Sequence, residues 1–330
     1  MSGTRRLTDS WQLGPHTIRN RVVLAPLAGI GNWFVRLQAH RHGAGLAVSE
    51  MVSSFGIHYR NEKTVTEMLR IHPEEGLVSV QLFGQDPDVM RSAAATVAER
   101  GADLIDLNMG CPVPKVCKTG AGAALIKDPD TAVKVARAAR EGSGLPVTVK
   151  LRSGQRPGET DGYALAHRLV HEAGVSAIGF HPRSAAVHHK GVPDYDLAAK
   201  LVESLDAPVI LTGGLSDRDA VLDAYERTGA AAVMLARGSL GNPWLFASLL
   251  GDDAREPTAD EVLRELDWVM DRAAEHLGAE RAARYLRQFY PWYLGRIGAA
   301  KTVQQGLQQT ASLDEARAVL ASLGDVPRAA

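Results

Sequence analysis

The sequence predicts an α/β fold of the (β/α)8 TIM-barrel class, followed by a small C-terminal helical domain. Eight short apolar runs follow one another up to Ala236, and most are followed by a stretch with the periodicity of an amphipathic helix. Strands that alternate with helices form parallel βαβ units, and eight such units close a barrel. Beyond the eighth unit, a polar segment precedes a new helix-start signal, which predicts the second domain.

The order of the elements follows from these runs. The eight predicted strands are Val22 to Ala25, Leu46 to Ser49, Val78 to Phe83, Leu104 to Asn108, Val147 to Leu151, Ala177 to His181, Val209 to Thr212 and Ala232 to Ala236. The clearest helical stretches are Pro87 to Arg100, Asp130 to Arg140, Gly162 to Glu172, Leu197 to Leu205 and Asp217 to Thr228.

Two further segments complete the predicted organisation. Trp11 to Ile18 has the pattern of a hairpin that turns at Gly14-Pro15, and we expect it to cap the bottom of the barrel. Gly251 to Pro257 is a polar linker, and Thr258 to Glu261 has the form of a capping box. The predicted domains are therefore residues 1–250 and 257–330.

Composition excludes several classes of protein. Hydrophobic residues at 45% and charged residues at 23% are typical of a globular chain, and 330 residues accommodate a barrel of roughly 250 plus a small domain. The spacing of Cys111 and Cys117 matches neither a redox pair nor a zinc site, so we expect no metal. No apolar segment has the length of a signal peptide or membrane span, which favours a cytoplasmic protein with no membrane partner. We expect a monomer.

Polar residues and glycines follow the predicted strands. The active site of such a barrel lies at the C-terminal ends of its strands, so these residues are the candidate site. In order they are Pro26-Leu27-Ala28-Gly29, Glu50, Gln81, Asn108, Lys150, His181 with Arg183, Thr212-Gly213-Gly214, and Ala236-Arg237-Gly238.

This ring suits a phosphorylated heterocycle. Lys150 ends an apolar strand, where a charge is costly unless it faces an anion, although a solvated strand end is the alternative. The glycine turns after the seventh and eighth strands can direct backbone N–H groups at a phosphate, or can simply be turns. FMN satisfies the whole pattern, since amides can bind its pyrimidine edge and a lysine favours its negatively charged reduced form.

Cys111 lies in a Gly-Cys-Pro turn just after the fourth strand. A thiol at that place can reach a bound substrate. The alternative is a buried cysteine that only fills the core.

Several of these segments together resemble the tRNA-dihydrouridine synthases, a family of flavin-dependent (β/α)8 enzymes with a C-terminal helical domain. The most specific block is Asn108 to Pro112 with Lys115-Val116 and Ala121-Gly122 following. The remaining matches are Asn20 to Gly29, Gly45 to Met51, Val80 to Gly84, Lys150, His181 with Arg183, and Gly238 to Trp244.

The resemblance implies an activity. NADPH would reduce FMN, and hydride would pass to C6 of a uracil in tRNA while Cys111 protonates C5, giving 5,6-dihydrouridine. It implies mobility of the cysteine loop at Gly110, Gly120 and Gly122. The implied cofactor-binding residues are Pro26, Leu27, Ala28, Gln81, Asn108, Lys150, His181, Thr212, Gly213, Gly214, Ala236 and Arg237. The implied tRNA-binding residues are Asn108, Lys115, Arg183, Arg284 and Arg287.

The sequence departs from the family pattern at several positions. Leu27 replaces a methionine, Ala236 replaces a glycine, and Gly31-Asn32 stand where the family has Thr-Asp. Thr212-Gly213-Gly214 replace Asn-Gly-Asp, and Pro182-Arg183-Ser184 replace Gly-Arg-Thr. Backbone contacts to a cofactor tolerate these changes, whereas side-chain contacts at residues 212 and 236 depend on them.

The C-terminal region combines basic and aromatic residues. Between Arg281 and Leu313 there is no acidic residue, and the pattern favours contact with folded RNA. Alternatively, the aromatics form a helical core and the arginines are solvated. The residues concerned are Arg281, Arg284, Arg287, Arg296 and Lys301, with Tyr285, Phe289, Tyr290, Trp292 and Tyr293. A positive rim at the barrel mouth could add Lys115, Lys118, Arg152, His188, His189 and Lys190, although solvated loop charge is the more ordinary role of such residues.

Three other functions fit parts of the pattern. A flavin enzyme acting on a free pyrimidine needs the same strand-end amides. A phosphosugar aldolase would use Lys150 as a Schiff-base nucleophile beside a phosphate site. A non-catalytic RNA-binding protein would not need Cys111 at all.

Overall fold

A computed structural model describes residues 5–251 and 255–323 of the chain. Eight parallel strands close into a barrel in the order β3-β4-β6-β7-β8-β9-β10-β11, and β11 pairs with β3 to complete the ring. The strands are β1 (Trp11–Leu13), β2 (His16–Ile18), β3 (Val22–Leu24), β4 (Leu46–Val48), β5 (Val52–Ser53), β6 (Val78–Phe83), β7 (Leu104–Met109), β8 (Val147–Arg152), β9 (Ala177–His181), β10 (Val209–Thr212) and β11 (Ala232–Leu235).

Helices surround the barrel and form the C-terminal region. They are α1 (Trp33–Arg41), α2 (Ser54–His58), α3 (Pro87–Glu99), α4 (Pro114–Cys117), α5 (Pro129–Ser143), α6 (Asp161–Ala173), α7 (Tyr195–Ser204), α8 (Arg218–Thr228), α9 (Trp244–Leu250), α10 (Ala259–Leu277), α11 (Ala279–Leu286), α12 (Tyr290–Arg296), α13 (Lys301–Gln309) and α14 (Leu313–Ala321). A π-helical turn at Thr64–Met68 and 3-10 turns at Gly122–Lys127 and Arg237–Ser239 add to these.

The predicted barrel is confirmed. Every predicted barrel strand is present, and each of its ends lies within one residue of the prediction. The sequence analysis missed β5 and α2, which follow β4 closely. Val52 pairs with Leu82, so β5 lies beside the C-terminal end of β6 and brings α2 to the rim of the barrel mouth.

Apolar side chains fill the lower half of the barrel. Side chains alternate along a strand, so every second residue points inward. The inward residues nearest the strand starts form one cluster with the hairpin β1–β2: Trp11, Leu13, Ile18, Val23, Leu46, Leu104, Ala177, Ile210 and Ala232. Trp11 Nε1 donates to the carbonyl of Asn20 at 2.9 Å, so its one polar atom is satisfied. The hairpin caps the bottom of the barrel as predicted.

The upper half of the barrel is polar. On β7, the inward residue that follows Leu104 is Asp106. It is paired in register with Gln81 on β6 and with Thr148 on β8. Two residues higher, Asn108 pairs with Lys150. Apolar packing below and polar groups above place the site at the C-terminal ends of the strands.

The C-terminal helices pack against the barrel through α10. Thr258 and Glu261 form the predicted capping box at its start. Gln38 on α1 donates to Glu265 on α10 at 2.8 Å and to the Tyr293 hydroxyl at 2.9 Å. Residues 252–254 of the predicted linker lie outside the described residues. The first four and the last seven residues of the chain, which belong to the two predicted domains, also lie outside them. The division at residues 250 and 257 stays a prediction.

Of the helices in the described ranges, none is both long and apolar enough to cross a membrane.

Candidate active site

A cavity of about 1060 Å³ opens at the C-terminal ends of the barrel strands. It brings together Cys111 and every residue expected to bind cofactor: Pro26, Leu27, Ala28, Gln81, Asn108, Lys150, His181, Thr212, Gly213, Gly214, Ala236 and Arg237. Arg183 lines it as well. Glu50, the other polar strand-end residue, lies outside the lining and accepts a hydrogen bond from the Gly29 N–H at 2.8 Å.

The turn that carries Cys111 is shaped by the side chain of Asn108. Asn108 Oδ1 accepts from the backbone N–H of Cys111 at 2.9 Å and of Gly110 at 3.2 Å. The Cys111 carbonyl accepts from the Ala123 N–H at 3.0 Å and from the Cys117 thiol at 3.3 Å. A side chain at Gly122 would lie 2.7 Å from that carbonyl, so only glycine allows this approach. Cys111 is half-buried and lines the cavity, unlike a core-filling cysteine.

Arg152 joins this turn to the opposite rim. Its guanidinium donates to the carbonyls of Gly110 at 2.9 Å, Ser184 at 3.1 Å and His188 at 2.7 Å. The side chain is buried, with 3% of its surface exposed. The alternative that Arg152 is a solvated loop charge is therefore wrong, because its guanidinium donates to three backbone carbonyls inside the protein.

Lys150 lines the cavity, and the neighbouring strands offer its ammonium group no hydrogen-bond acceptor. Within residues 5–251 and 255–323, no side chain or carbonyl accepts a hydrogen bond from its ammonium group. Burial and then the charge of the neighbouring Arg152 together lower the pKa of Lys150 to about 8, against the opposing effect of Asp106. Gly179 on β9 leaves room for the lysine stem, since a Cβ there would lie 3.5 Å from Lys150 Cγ. A half-buried cation that faces the cavity without an acceptor is a binding group for an anion.

His181 is held neutral beside Lys150. Burial, followed by the charges of Lys150, Arg152 and Arg183, lowers the pKa of His181 far below its ordinary value. Its Nε2 lies 3.3 Å from Arg183 Nη1, so the arginine donates and Nε2 accepts. His181 therefore acts as a neutral hydrogen-bonding group.

Glycine turns form the other end of the cavity. Gly213 has φ +98°, and a Cβ there would lie 2.3 Å from His181 Cδ2. Tyr195 fixes the turn by donating to the Gly213 carbonyl at 3.0 Å. Among the described residues, no carbonyl or side chain accepts from the N–H groups of Gly213, Gly214 and Gly238. With Arg237 beside them, these free donors make a cradle suited to an anionic oxygen cluster.

The residues expected to bind tRNA are spread more widely. Asn108 and Arg183 line the cavity, whereas Lys115 is exposed on α4. Arg284 is exposed on α11 and pairs with Glu280 at 2.8 Å. Arg287 is half-buried and donates to the Thr310 carbonyl at 3.0 Å, so it also joins α11 to the loop after α13.

The tail aromatics are mostly core residues. Phe289, Tyr290 and Tyr293 are each at most 3% exposed, so they cannot stack on RNA bases. Trp292, together with Arg296 on the same helix, reaches the cavity instead. The approach of α12 to the barrel mouth was not predicted from the sequence. It depends on the glycine at position 241, because a Cβ there would lie 2.6 Å from the Trp292 backbone.

The chain matches the family model for dihydrouridine synthases over residues 23–329. The chain belongs to the dihydrouridine synthase family. It is 34% identical over 309 residues to the tRNA-dihydrouridine synthase B of Vibrio vulnificus, covering 93% of this chain and 92% of that protein. It is 33% identical over 291 residues to the protein of that name from Pasteurella multocida, covering 87% of each.

Solved structures share the barrel at low sequence identity. A morphinone reductase mutant in complex with tetrahydroNAD superposes with a TM-score of 0.54 at 16% identity, over 78% of this chain and 94% of that chain. A 2-naphthoyl-CoA reductase superposes with a TM-score of 0.60 at 14% identity, over 78% of this chain and 53% of that chain. These likenesses establish the TIM-barrel fold.

Proposed function

We propose that this chain reduces uridine in tRNA to 5,6-dihydrouridine, with FMN as its flavin, NADPH as reductant and Cys111 as proton donor. The family model and the tRNA-dihydrouridine synthase relatives support the substrate and the reaction. The observation that carries the proposal is one cavity that joins a thiol, an unpaired lysine and a cradle of free N–H groups.

The cavity suits a flavin phosphate at its glycine end. The N–H groups of Gly213, Gly214 and Gly238 supply donors, and Arg237 supplies a positive charge. Contacts made by backbone tolerate the departures from the family pattern here. Ala236 adds only a methyl group to the glycine of the family. Thr212 has a hydroxyl in place of the family's asparagine amide, so it still offers a polar group.

At the other end, Lys150 would face the pyrimidine edge of the ring. A cation there favours negative charge on N1 and O2, and the surrounding burial strengthens that attraction. Lys150 has no competing acceptor among the described residues, so its ammonium is available to a bound anion. When bound and reduced, the flavin supplies the hydride for C6 of the uracil.

Cys111 supplies the proton on the opposite ring face. The Asn108 side chain and the Ala123 N–H hold the backbone on both sides of the cysteine, which leaves the thiol as the free group of the turn. A positioned acid of this kind accelerates proton transfer by roughly 10² to 10⁴. Neutral His181 can hydrogen-bond the uracil without adding another cation beside Lys150.

The tRNA would cross the barrel mouth toward the helical tail. Lys115 and Arg284 are exposed cations available to phosphates, and Arg183 stands in the cavity wall. Because the cavity is deep, the target uridine must leave its stack to enter.

The test uses purified protein loaded with FMN and supplied with NADPH. We expect unmodified tRNA transcript to gain two mass units at a uridine, and free uridine or uracil to remain unchanged. Efficient reduction of the free base with no change in tRNA would instead support a free-pyrimidine enzyme and contradict the proposal. A preparation that binds no flavin would favour the Lys150 aldolase chemistry.

A further inference from the structure

A buried carboxylate lies beneath the floor of the cavity and has no part in the chemistry above. Asp106 is 2% exposed and sits on β7 between β6 and β8. Thr148 Oγ1 donates to its Oδ1 at 2.5 Å, and Gln81 Nε2 donates to its Oδ2 at 2.6 Å. Both oxygens are satisfied by neutral donors from the neighbouring strands.

These bonds are the start of a longer chain with a single polarity. A carboxylate only accepts, so the Gln81 amide must turn its NH2 group toward Asp106. Gln81 Oε1 then faces Asn108 and accepts from its Nδ2 at 2.8 Å. This leaves Asn108 Oδ1 pointing up to the N–H groups of Gly110 and Cys111. Two side chains, Gln81 and Asn108, therefore carry the orientation of one carboxylate to the turn that holds the thiol.

Asp106 is costly to keep at this depth. Burial raises the pKa of its carboxyl to about 6, and the hydrogen bonds from Thr148 and Gln81 and the charge of Lys150 offset this only in part. Apolar residues fill the layer immediately below, so an apolar side chain would be compatible with the packing. A role in the site explains why a charge stands here.

We propose that Asp106 is a positioning residue for Cys111, acting through the amides of Gln81 and Asn108. The catalytic meaning of this position rests on the proposed function of Cys111. The arrangement itself does not.

Asparagine at position 106 would remove the polarity without removing the shape. An amide can present either its oxygen or its NH2 group to Gln81, while the Thr148 hydroxyl can rotate to suit both. In the inverted arrangement each amide of the chain flips, and Asn108 Nδ2 meets the N–H groups of Gly110 and Cys111. Donors then face each other in that arrangement, and the turn is held only in the molecules that keep the wild-type orientation.

The experiment measures the rate at which iodoacetamide alkylates Cys111 at pH 8 in unliganded protein. The chain has two cysteines, so a Cys117→Ser background leaves one thiol to follow by mass. We expect Asp106→Asn to raise the rate about five- to tenfold, corresponding to loss of about one hydrogen bond. Gln81→Met breaks the same chain and should raise it equally, and the double variant should add nothing.

Thr148→Val is the matched control. It removes a hydrogen bond from the same carboxylate but leaves Asp106 as an acceptor facing Gln81, so the polarity of the chain survives. We expect lower stability in urea but less than about a twofold change in alkylation. An unchanged or slower rate in Asp106→Asn, or equal rates in Asp106→Asn and Thr148→Val, overturns the proposal.

The catalytic consequence is read from the two half-reactions. In Asp106→Asn, reoxidation of bound flavin by tRNA should slow more than its reduction by NADPH, because the thiol turn acts only in the second step, whereas Gln81 and Asn108 line the cavity in both. If wild-type protein fails to reduce uridine, the proposed function fails and the alkylation comparison still decides the role of Asp106. If wild-type protein works and alkylation does not respond, only the positioning role fails.

Discussion

Lys150→Met should make the flavin-free protein more stable while impairing its function. The ammonium group is half-buried and has no hydrogen-bond acceptor among the described residues, whereas methionine keeps a similar stem and carries no charge. Binding groups held ready for an absent ligand commonly reduce the stability of the empty site.

The magnitude follows from the pKa of Lys150. A change from 10.5 to about 8 corresponds to about 3 kcal/mol of free energy at about 1.4 kcal/mol for each tenfold change in proton affinity. The attraction to Asp106 is already contained in that pKa, and solvent in the cavity screens the half-buried ammonium, which reduces the cost. We expect a net gain of about 2 kcal/mol at pH 7, or a rise in melting temperature of about 4 °C.

The gain should depend on pH with a definite sign. Because the folded pKa lies below the unfolded one, the folded state binds fewer protons between about pH 8 and 10.5, and wild-type stability rises with pH there. Below pH 8 the full cost is present. The groups that face Lys150 are Asp106, Arg152, His181, His189 and Cys111, and all remain in the variant.

The assay is urea unfolding of both flavin-free proteins from pH 7 to 10. The exposed Lys200 supplies the control, and Lys200→Met should change stability by less than about 0.5 kcal/mol at every pH. The reasoning is refuted if Lys150→Met is no more stable than wild type at pH 7, or if the difference persists undiminished at pH 10. FMN should bind the variant more weakly and stabilise it less.

Three further predictions concern the glycine end and the tail. Gly213→Ala should abolish FMN binding, because its Cβ would lie 2.3 Å from His181 Cδ2. The control is Gly229→Ala, where φ is also positive at 63° but no atom lies within 4 Å of the new Cβ, so we expect only about 1 kcal/mol of lost stability. Equal FMN affinity in the two variants, measured by flavin fluorescence, would contradict this. Arg237→Met should weaken FMN at least about tenfold and leave riboflavin affinity unchanged, since the phosphate is the difference between them; calorimetry that finds both ligands equally weakened would exclude a phosphate contact. Arg284→Ala should weaken tRNA binding in filter assays without changing stability. Arg287→Ala should cost about 1 kcal/mol of stability, because it leaves the Thr310 carbonyl without its donor. Loss of stability in Arg284→Ala, or loss of tRNA binding in Arg287→Ala alone, would contradict the assignment of Arg284 to the tRNA-binding surface.

The sequence predicts the barrel and its ring of polar strand ends because both depend on local pattern. Alternation along a strand and the position of each strand end are enough to place Gln81, Asn108, Lys150 and His181 at one face. The position of a residue at a strand end predicts the region of the barrel in which it lies. The lining of the cavity contains all four of these residues, whereas Glu50 lies outside it.

The parts that could not be predicted depend on contacts between distant segments. Arg152 is a charged residue at a strand end, which predicts a place at the rim of the barrel. It becomes a buried donor only because the loop with Ser184 and His188 approaches it. Phe289 and Tyr293 have the same spacing whether they face RNA or the barrel, and their burial against α1 and α10 decides it. The orientation of Gln81 depends on a carboxylate on the next strand, which no pattern within β6 reveals.

The central claim is that Cys111 donates the proton opposite the hydride. The direct measurement is a single turnover of Cys111→Ala, loaded with FMN, first with NADPH and then with unmodified tRNA. The account predicts flavin reduction at the wild-type rate and reoxidation by tRNA slowed by about 10² or more. Reoxidation by tRNA at the wild-type rate, with dihydrouridine formed, would contradict it.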